Sequence, residues 1–484
     1  MSVKLIYKDF AVGAAEDAAV SATGQANFST ITLLPFGSDN PKMYATLERN
    51  RWMLNGAYSV FDGGPVSFWS DALSDNEGVF AEPPTLTVDF DENYTSVGIT
   101  FLFDIVDFAR ELTVTWYRDG EVLDEKTFYP NSSAYLCENT VEAYDKVAVT
   151  FAKTSLPHRR LKLDAIQFGI MRTFRRNELR NVNVIQEIDP ISRELAVNTL
   201  DWTLDSKEAV EYIFQLKQPV EAYDGQTLIG TYYIDDSSRR SQRIYDISCI
   251  DAIGVLDEEM FPDAVYADKP AVDLATEILG GHFALQMDTA LQGKTVSGAL
   301  VGLTRRQALQ QLCFAIGAVA DTSGTDAVKV FALPTVSSVQ IGADRTRTGD
   351  SVTTDAIVTA IKLTAHSYST EGSGETVTVN GVEYYHTTAV TTITNPSVTA
   401  TDKQNVIEIA DATLISPGNV EEIAQRVYDF YTRRKHHNFK FRLDGETVGD
   451  YVDTVTNWGE TISGNIARMS IVLSGIAVAD SEVV

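Results

Sequence analysis

Residues 196–257 read AVNTLDWTLDSKEAVEYIFQLKQPVEAYDGQTLIGTYYIDDSSRRSQRIYDISCIDAIGVLD, and this stretch decides the fold class. Leu200, Trp202 and Leu204 alternate with Asp201 and Thr203, and Tyr245, Ile247 and Cys249 alternate with Asp246 and Ser248. A period of two puts each set on one side of a strand, so every strand gains one apolar face and one wettable face. Asp224-Gly225 and Gly230 supply turn chemistry between the strands, and Asp251 to Leu256 leads the chain out of the last one. The stretch predicts a closed or nearly closed antiparallel barrel, a unit suited to assembly more than to chemistry.

Upstream, residues 51–169 carry further short alternating runs, VSFW, TLTVDF, VGITFLF, LTVTWY, VAVTFA and LKLDAIQF, separated by turn clusters. Asp119-Gly120 is a two-residue hairpin signal, and Pro83-Pro84, Asn131-Ser132-Ser133 and Pro157 mark other breaks. This spacing predicts a jelly-roll-like β-sandwich preceded by an N-terminal segment, residues 1–50. Downstream of a first barrel at 170–261, residues 262–334 change texture. Val272, Ala275, Ile278 and Leu279 recur at helical spacing before Gly280-Gly281, and Thr304 caps a second run with Ala308, Leu309, Leu312 and Ile316 on one face. With the strand AVKVFALP they make a small α+β domain. Residues 335–484 return to strands and read as a second barrel, interrupted by one helix whose stripe is Val420, Ile423, Ala424, Val427 and Tyr431. The predicted fold class is therefore mainly β with a small α+β domain: two antiparallel β-barrels, a helical and mixed insert, and an N-terminal sandwich.

A chain of 484 residues exceeds one ordinary core, and about three to five domains is the expectation. Sixty-seven acidic against 39 basic residues give a net charge of −28, which argues against broad contact with phosphate backbones or anionic lipid. That sign suits solubility, and it also suits a channel through which nucleic acid slides without sticking. Cys137, Cys249 and Cys313 are odd in number and far apart, so neither a disulfide framework nor a metal cluster is expected. The N-terminus lacks the apolar centre of a signal peptide, and no run of eighteen apolar residues occurs, so synthesis and folding in a cytoplasm are expected.

Catalytic patterns are missing where they would be sought. Gln292-Gly293-Lys294-Thr295 ends like a phosphate-binding loop, but Asp288 stands where that loop needs glycine. Neither a G-x-S-x-G elbow nor an H-E-x-x-H pair occurs, and His436 and His437 are adjacent, so they cannot share a helix face as metal ligands. The expectation is no enzyme, no cofactor and no metal. Asp89, Asp91, Glu92 and Asn93 crowd one turn as a candidate calcium site, set against the commoner reading of an ordinary acidic turn. Trp69, Trp116, Tyr117 and Tyr135, with Trp52, are the candidate sugar-stacking aromatics, set against a core role. Arg172, Arg175, Arg176 and Arg180, with Arg433 and Arg434, are the candidate interface cations.

The pieces QPVEAYDGQTLIGTYYIDD and YDISCIDAIGVLD, then DLATEILGG and GLTRRQALQQLCFAIGA, then GDYVDTVTNWGETISGNIARMSIVLSG, taken in that order, resemble the baseplate hub proteins of tailed phages and phage-like contractile particles. The resemblance covers about residues 170–484. It implies a homotrimer in which two barrels per subunit match a six-fold tail tube and adapt it to a three-fold spike. The implied partners are the tail tube or distal tail protein, the spike and the tape-measure protein. DNA would pass the lumen without sequence-specific binding, in a virion tail or particle baseplate assembled in the bacterial host cytoplasm. ATLERNRWMLNG, VGITFLFD and PHRRLKLDAIQFG resemble an accessory sandwich carried by some hubs, which implies a host glycan as ligand and, as the alternative function, a cell-wall adhesin. A wall-degrading hydrolase is the third reading, for which residues 478–484 leave no domain after the second barrel.

Overall fold

The computed structural model describes residues 3–11, 13–27, 29–37, 42–45, 61–64, 67–206, 214–337, 339–399, 403–473 and 478–484. The chain divides into two bodies, Ile6–Thr173 and Met1–Leu5 with Phe174–Val484. ATLERNRWMLNG and Trp52 fall almost wholly outside the described residues.

In the first body two long strands, Thr85–Phe103 and Ala134–Thr154, pair along their length and carry the sheet. Register shifts at Asp89/Tyr94, Tyr94/Ser96 and Ser96/Gly98 interrupt that pairing. Such bulges bend a strand and increase its twist. The ribbon folds back on itself there, because Phe101 beyond the bend meets Phe151 before it, with ring centroids 6.2 Å apart and near perpendicular. Ala109–Arg118 and Glu121–Phe128 extend one half, and Lys162–Gln167 and Phe68–Trp69 extend the other. Asp119 and Gly120 both have positive φ, 52° and 83°, as a type I′ hairpin requires. The strand Ala19–Thr23 pairs with Thr85–Asp89, and Ala14 and Leu34 join the same core. Residues before 51 thus add to the same sheet and core.

In the second body the strands run Pro219–Asp224, Thr227–Arg239, Ile244–Ile250, Thr199–Asp205, Leu179–Glu187, Thr461–Val472, Val478–Val483, Lys435–Arg442 and Thr346–Thr354 in one continuous sheet. Tyr451–Val455 pairs with the first part of Thr461–Val472. Two separate barrels were expected. Instead Asn183–Glu187 pairs antiparallel with Arg468–Val472 and fuses the two sets of strands. No closed barrel is seen among the described residues. Gly464 marks a close approach, because a Cβ there would lie 2.3 Å from the Val484 carbonyl oxygen.

The helices Ala271–Leu279, Arg305–Ile316 and Val420–Thr432 form where the sequence places them. Thr304 Oγ1 accepts from the Gln307 N–H, while Gln307 Oε1 accepts from the Thr304 N–H, a complete capping box. Gly280 and Gly317 close their helices in the left-handed conformation. The insert is larger than expected. Ile361, Leu363, Ile409 and Leu414 pack in one core with Ile278, Leu309, Leu312, Ile423 and Val427. A four-stranded sheet, ordered Thr376–Val379, Val382–Thr394, Ala360–Ser369 and Val406–Ile409, therefore belongs with the helices and not with the second set of sheet strands. Alternation had shown that these segments are strands, but not which core their apolar side joins.

Candidate functional site

The most extended built surface is the joined sheet. Ile234, Cys249, Leu200, Val184, Ile471, Ala479 and Phe441 stand opposite one another across seven strands, and all seven are buried. One residue along, or two at the bulge after Ile234, the opposite face carries Asp236, Ser248, Asp201, Asn183, Val472, Val478 and Arg442. The dry face and the wet face therefore continue without interruption across the join. A slip of one residue at the join would turn every inner side chain outward, so burial on both sides fixes the register.

The first half of the wet face presents Asp201 and Asp236 as exposed carboxylates, while Asp235 lies 3.0 Å from Lys217 and Asp246 pairs with Arg240. In the second half Lys440 lies 3.2 Å from Asp480, and across the join Arg468 lies 3.6 Å from Glu187. Exposed pairs of this kind contribute little stability, about 0–1 kcal/mol, and chiefly set the local field.

A buried polar node holds the sheet to the insert. Asp251, at the end of Ile244–Ile250, accepts from the Gly254 N–H at 3.0 Å and from Thr322 Oγ1 at 2.7 Å. Asn198 Nδ2 donates to Asp321 Oδ1 at 3.2 Å, and Lys329 lies 3.0 Å from the other Asp321 oxygen. Burial pushes the Asp251 carboxyl up to about 7, against hydrogen bonds that favour its charge. In the second half His437 is buried, with Nδ1 2.8 Å from Thr454 Oγ1 and Nε2 3.6 Å from Asp350. Burial holds it below the usual histidine range, although Asp350 opposes the shift.

The candidate sugar-stacking aromatics do not form one platform. Trp116 is 0% exposed and Trp69 3%, and the Trp69 ring already carries the Lys162 ammonium 4.3 Å from its centroid. Lys162 in turn lies 2.9 Å from the buried Asp107 carboxylate. Both indoles are core side chains, and the sequence holds the signal: Trp116 shares the parity of Leu112 and Val114, which are buried beside it. Tyr117 and Tyr135 remain partly exposed.

The candidate interface arginines occupy separate surroundings. Arg172 is half-buried. Arg175 and Arg176 are exposed and, with Val3 and Asn177, line a concavity of about 430 Å³. Arg180 pairs with Asp205. Arg433 borders a different cavity with Arg426, Phe430 and Pro334, and Arg434 Nε donates to the Asp355 carbonyl at 2.7 Å. At the candidate calcium turn, Asp89 pairs with Lys146 at 2.9 Å, and the Asp91 and Glu92 N–H groups donate to Asp17. Among the described residues no group of three or more His, Cys, Asp or Glu is arranged to hold a metal ion. Cys137, Cys249 and Cys313 are buried free thiols, and burial raises each above its ordinary range. No described helix is long and apolar enough to cross a membrane.

No protein-family model matches the chain, and no curated protein matches it in sequence. Among solved structures, it is similar to the 43 kDa tail protein of prophage MuSo2 from Shewanella oneidensis, at 12% identity and a TM-score of 0.46, over 65% of this chain and 95% of that one. It is also similar to a tail protein from Neisseria meningitidis MC58, at 10% identity and a TM-score of 0.47, over 64% and 93% of the two chains. A prophage tail protein from Listeria monocytogenes EGD-e matches at 12% identity and a TM-score of 0.43, over 65% and 91%.

Proposed function

We propose that the chain is a structural subunit of a phage tail or phage-like injection particle, acting as the central hub between a six-fold tail tube and a three-fold spike. The carrying observation is the unbroken sheet, in which two sets of strands share one dry face and one wet face across the Asn183–Glu187 and Arg468–Val472 pairing. Two like halves per chain give six in a homotrimer, the number needed to meet a six-fold layer. On this reading the exposed carboxylates of the wet face line a lumen that DNA passes without being trapped, and the tube, spike and tape-measure proteins are the neighbours. The role is one of assembly, without catalysis.

The test is the mass of the full chain in solution, alone and with a tail-tube protein, followed by electron microscopy of the complex. The expected result is three times the 53.2 kDa chain and a ring with six sheet halves around one axis. A stable dimer, or a ring in which the halves lie in different layers, overturns the reading. The adhesin alternative now rests on Tyr117 and Tyr135, and binding of the full chain to no sugar on a glycan array would remove it.

A further inference from the structure

The hairpin between Tyr451–Val455 and Thr461–Val472 carries a tryptophan at its tip. Trp458 is 58% exposed, whereas Trp69, Trp116 and Trp202 are buried. The tip is held from several sides. The Thr456 N–H donates to the Glu460 carbonyl at 2.8 Å, the Gly459 N–H to the Thr456 carbonyl at 3.0 Å, and the Asn457 N–H to the Asp350 carboxylate at 2.8 Å. The indole Nε1–H donates to Glu460 at 3.3 Å, so its polar edge has a partner and its apolar faces are what solvent meets. An aromatic side chain fixed in place before contact loses little entropy on docking, and buried tryptophan dominates many interfaces. Around it carboxylates prevail: Glu460 pairs with Lys435, and His436 stands between Asp355 and Glu482 at 2.9 and 3.0 Å.

The same body offers a surface of opposite character. Arg175 and Arg176 are exposed, have no ion-pair partner among the described residues, and flank Val3 and Asn177 in the concavity of about 430 Å³. Guanidinium groups stack on indole faces and pair with carboxylates, so an indole beside Glu460 matches both cations and the apolar floor. A second copy of this chain supplies the complement, an exposed indole beside carboxylates, on a chain with a net charge of −28.

We propose that the Trp458 tip of one copy inserts into the Val3, Arg175, Arg176 and Asn177 concavity of the next. The contact joins two different patches and is therefore head-to-tail, so it closes into a ring only when the rotation between copies allows. The number of copies in that ring rests on the hub reading above. The contact weakens with salt, because part of it is charge pairing at the surface.

In the test, Trp458 of the full chain is replaced by a benzoyl-phenylalanine photo-cross-linker, and the linked peptides are identified by mass spectrometry. Links to residues 175–177 of another copy are expected. Trp458→Ala should weaken self-association by about 30-fold or more, and a chain bearing both Arg175→Glu and Arg176→Glu should lose the cross-link while keeping its circular dichroism spectrum. Links that map elsewhere, self-association unchanged in both variants, or a monomer at every concentration overturn the proposal. A trimer whose links avoid residues 175–177 overturns this contact and leaves the hub standing. A dimer or open filament joined through residues 175–177 keeps the contact and overturns the hub.

Discussion

The two halves of the long sheet share a polarity and differ in how the chain reaches them. The first half is drawn mainly from one stretch, Leu179 to Ile250, with the strand that begins at Val3 added beside Pro219–Asp224. The second half takes Thr346–Thr354, leaves for a four-stranded sheet and a helix, and returns for Lys435–Arg442, Tyr451–Val455, Thr461–Val472 and Val478–Val483. The same inner and outer faces thus arise from a local path and from an interrupted one. Strand polarity is a property of each short segment, while partnership between strands belongs to the folded chain as a whole.

If the halves are one sheet, damage at the join reaches both. Val184→Asp buries an unpaired carboxylate in the seven-residue inner row and is expected to cost about 3–5 kcal/mol. Hydrogen exchange should show Ile244–Ile250 and Lys435–Arg442 losing protection together. Loss confined to the first half would mean that the halves fold separately.

The halves should also respond to pH in opposite directions. The folded carboxyl of Asp251 sits at about 7, above the ordinary aspartate value of 3.8, so the folded state holds the proton more tightly and stability falls as pH rises between those values. The full effect is about 4 kcal/mol at most. The folded imidazole of His437 is held below the ordinary histidine value of 6.5, so its contribution is present above that value and is lost as pH falls below it. Local protection factors, which normalise exchange to the intrinsic rate at each pH, should therefore rise with acid near Ile250 and fall with acid near His437. Asp251→Asn and His437→Gln should each flatten their own slope, and an unchanged slope in either variant refutes the corresponding assignment.

The excursion itself can be assigned to one side by a core deletion. Leu363→Ala should cost about 2–5 kcal/mol, as should Leu312→Ala, because both side chains are fully buried in the insert core. Denaturant unfolding of the double variant should show coupling between the two sites; strict additivity would separate their cores. The smallest effect belongs to the helix start, where Thr304→Ala removes the cap and should cost about 1 kcal/mol in the same measurement.

Much of this architecture was legible in the residues. The Leu200, Trp202 and Leu204 face, the Asp119-Gly120 hairpin, the Thr304 cap and the Gly280 and Gly317 helix ends each depend on neighbours a few positions away. Leu363 was read as a barrel residue because its alternation is satisfied equally by either core. The join escaped notice because no local pattern in Asn183–Glu187 names Arg468–Val472 as its partner. Trp116 could have been placed in the core from its parity with Leu112 and Val114. Trp69 sits in a strand of two residues, too short for parity to speak. Trp458 received no role from the sequence reading, although Asn457 and Gly459 beside it mark a turn whose side chains face outward.

The join has a consequence for synthesis. Asn183 and Ser470, side by side across it, are 287 residues apart in the chain. At ribosomal speeds of about 5–20 residues per second, the partner of Leu179–Glu187 emerges roughly 15–60 s after that strand does. Through that interval the first half presents an unpaired strand edge, the situation in which strands pair with the wrong chain. Arg180 and Glu187 on that strand supply the charges that discourage such pairing. Until the last strands arrive, the nascent protein is an adhesive surface protected chiefly by its own net charge.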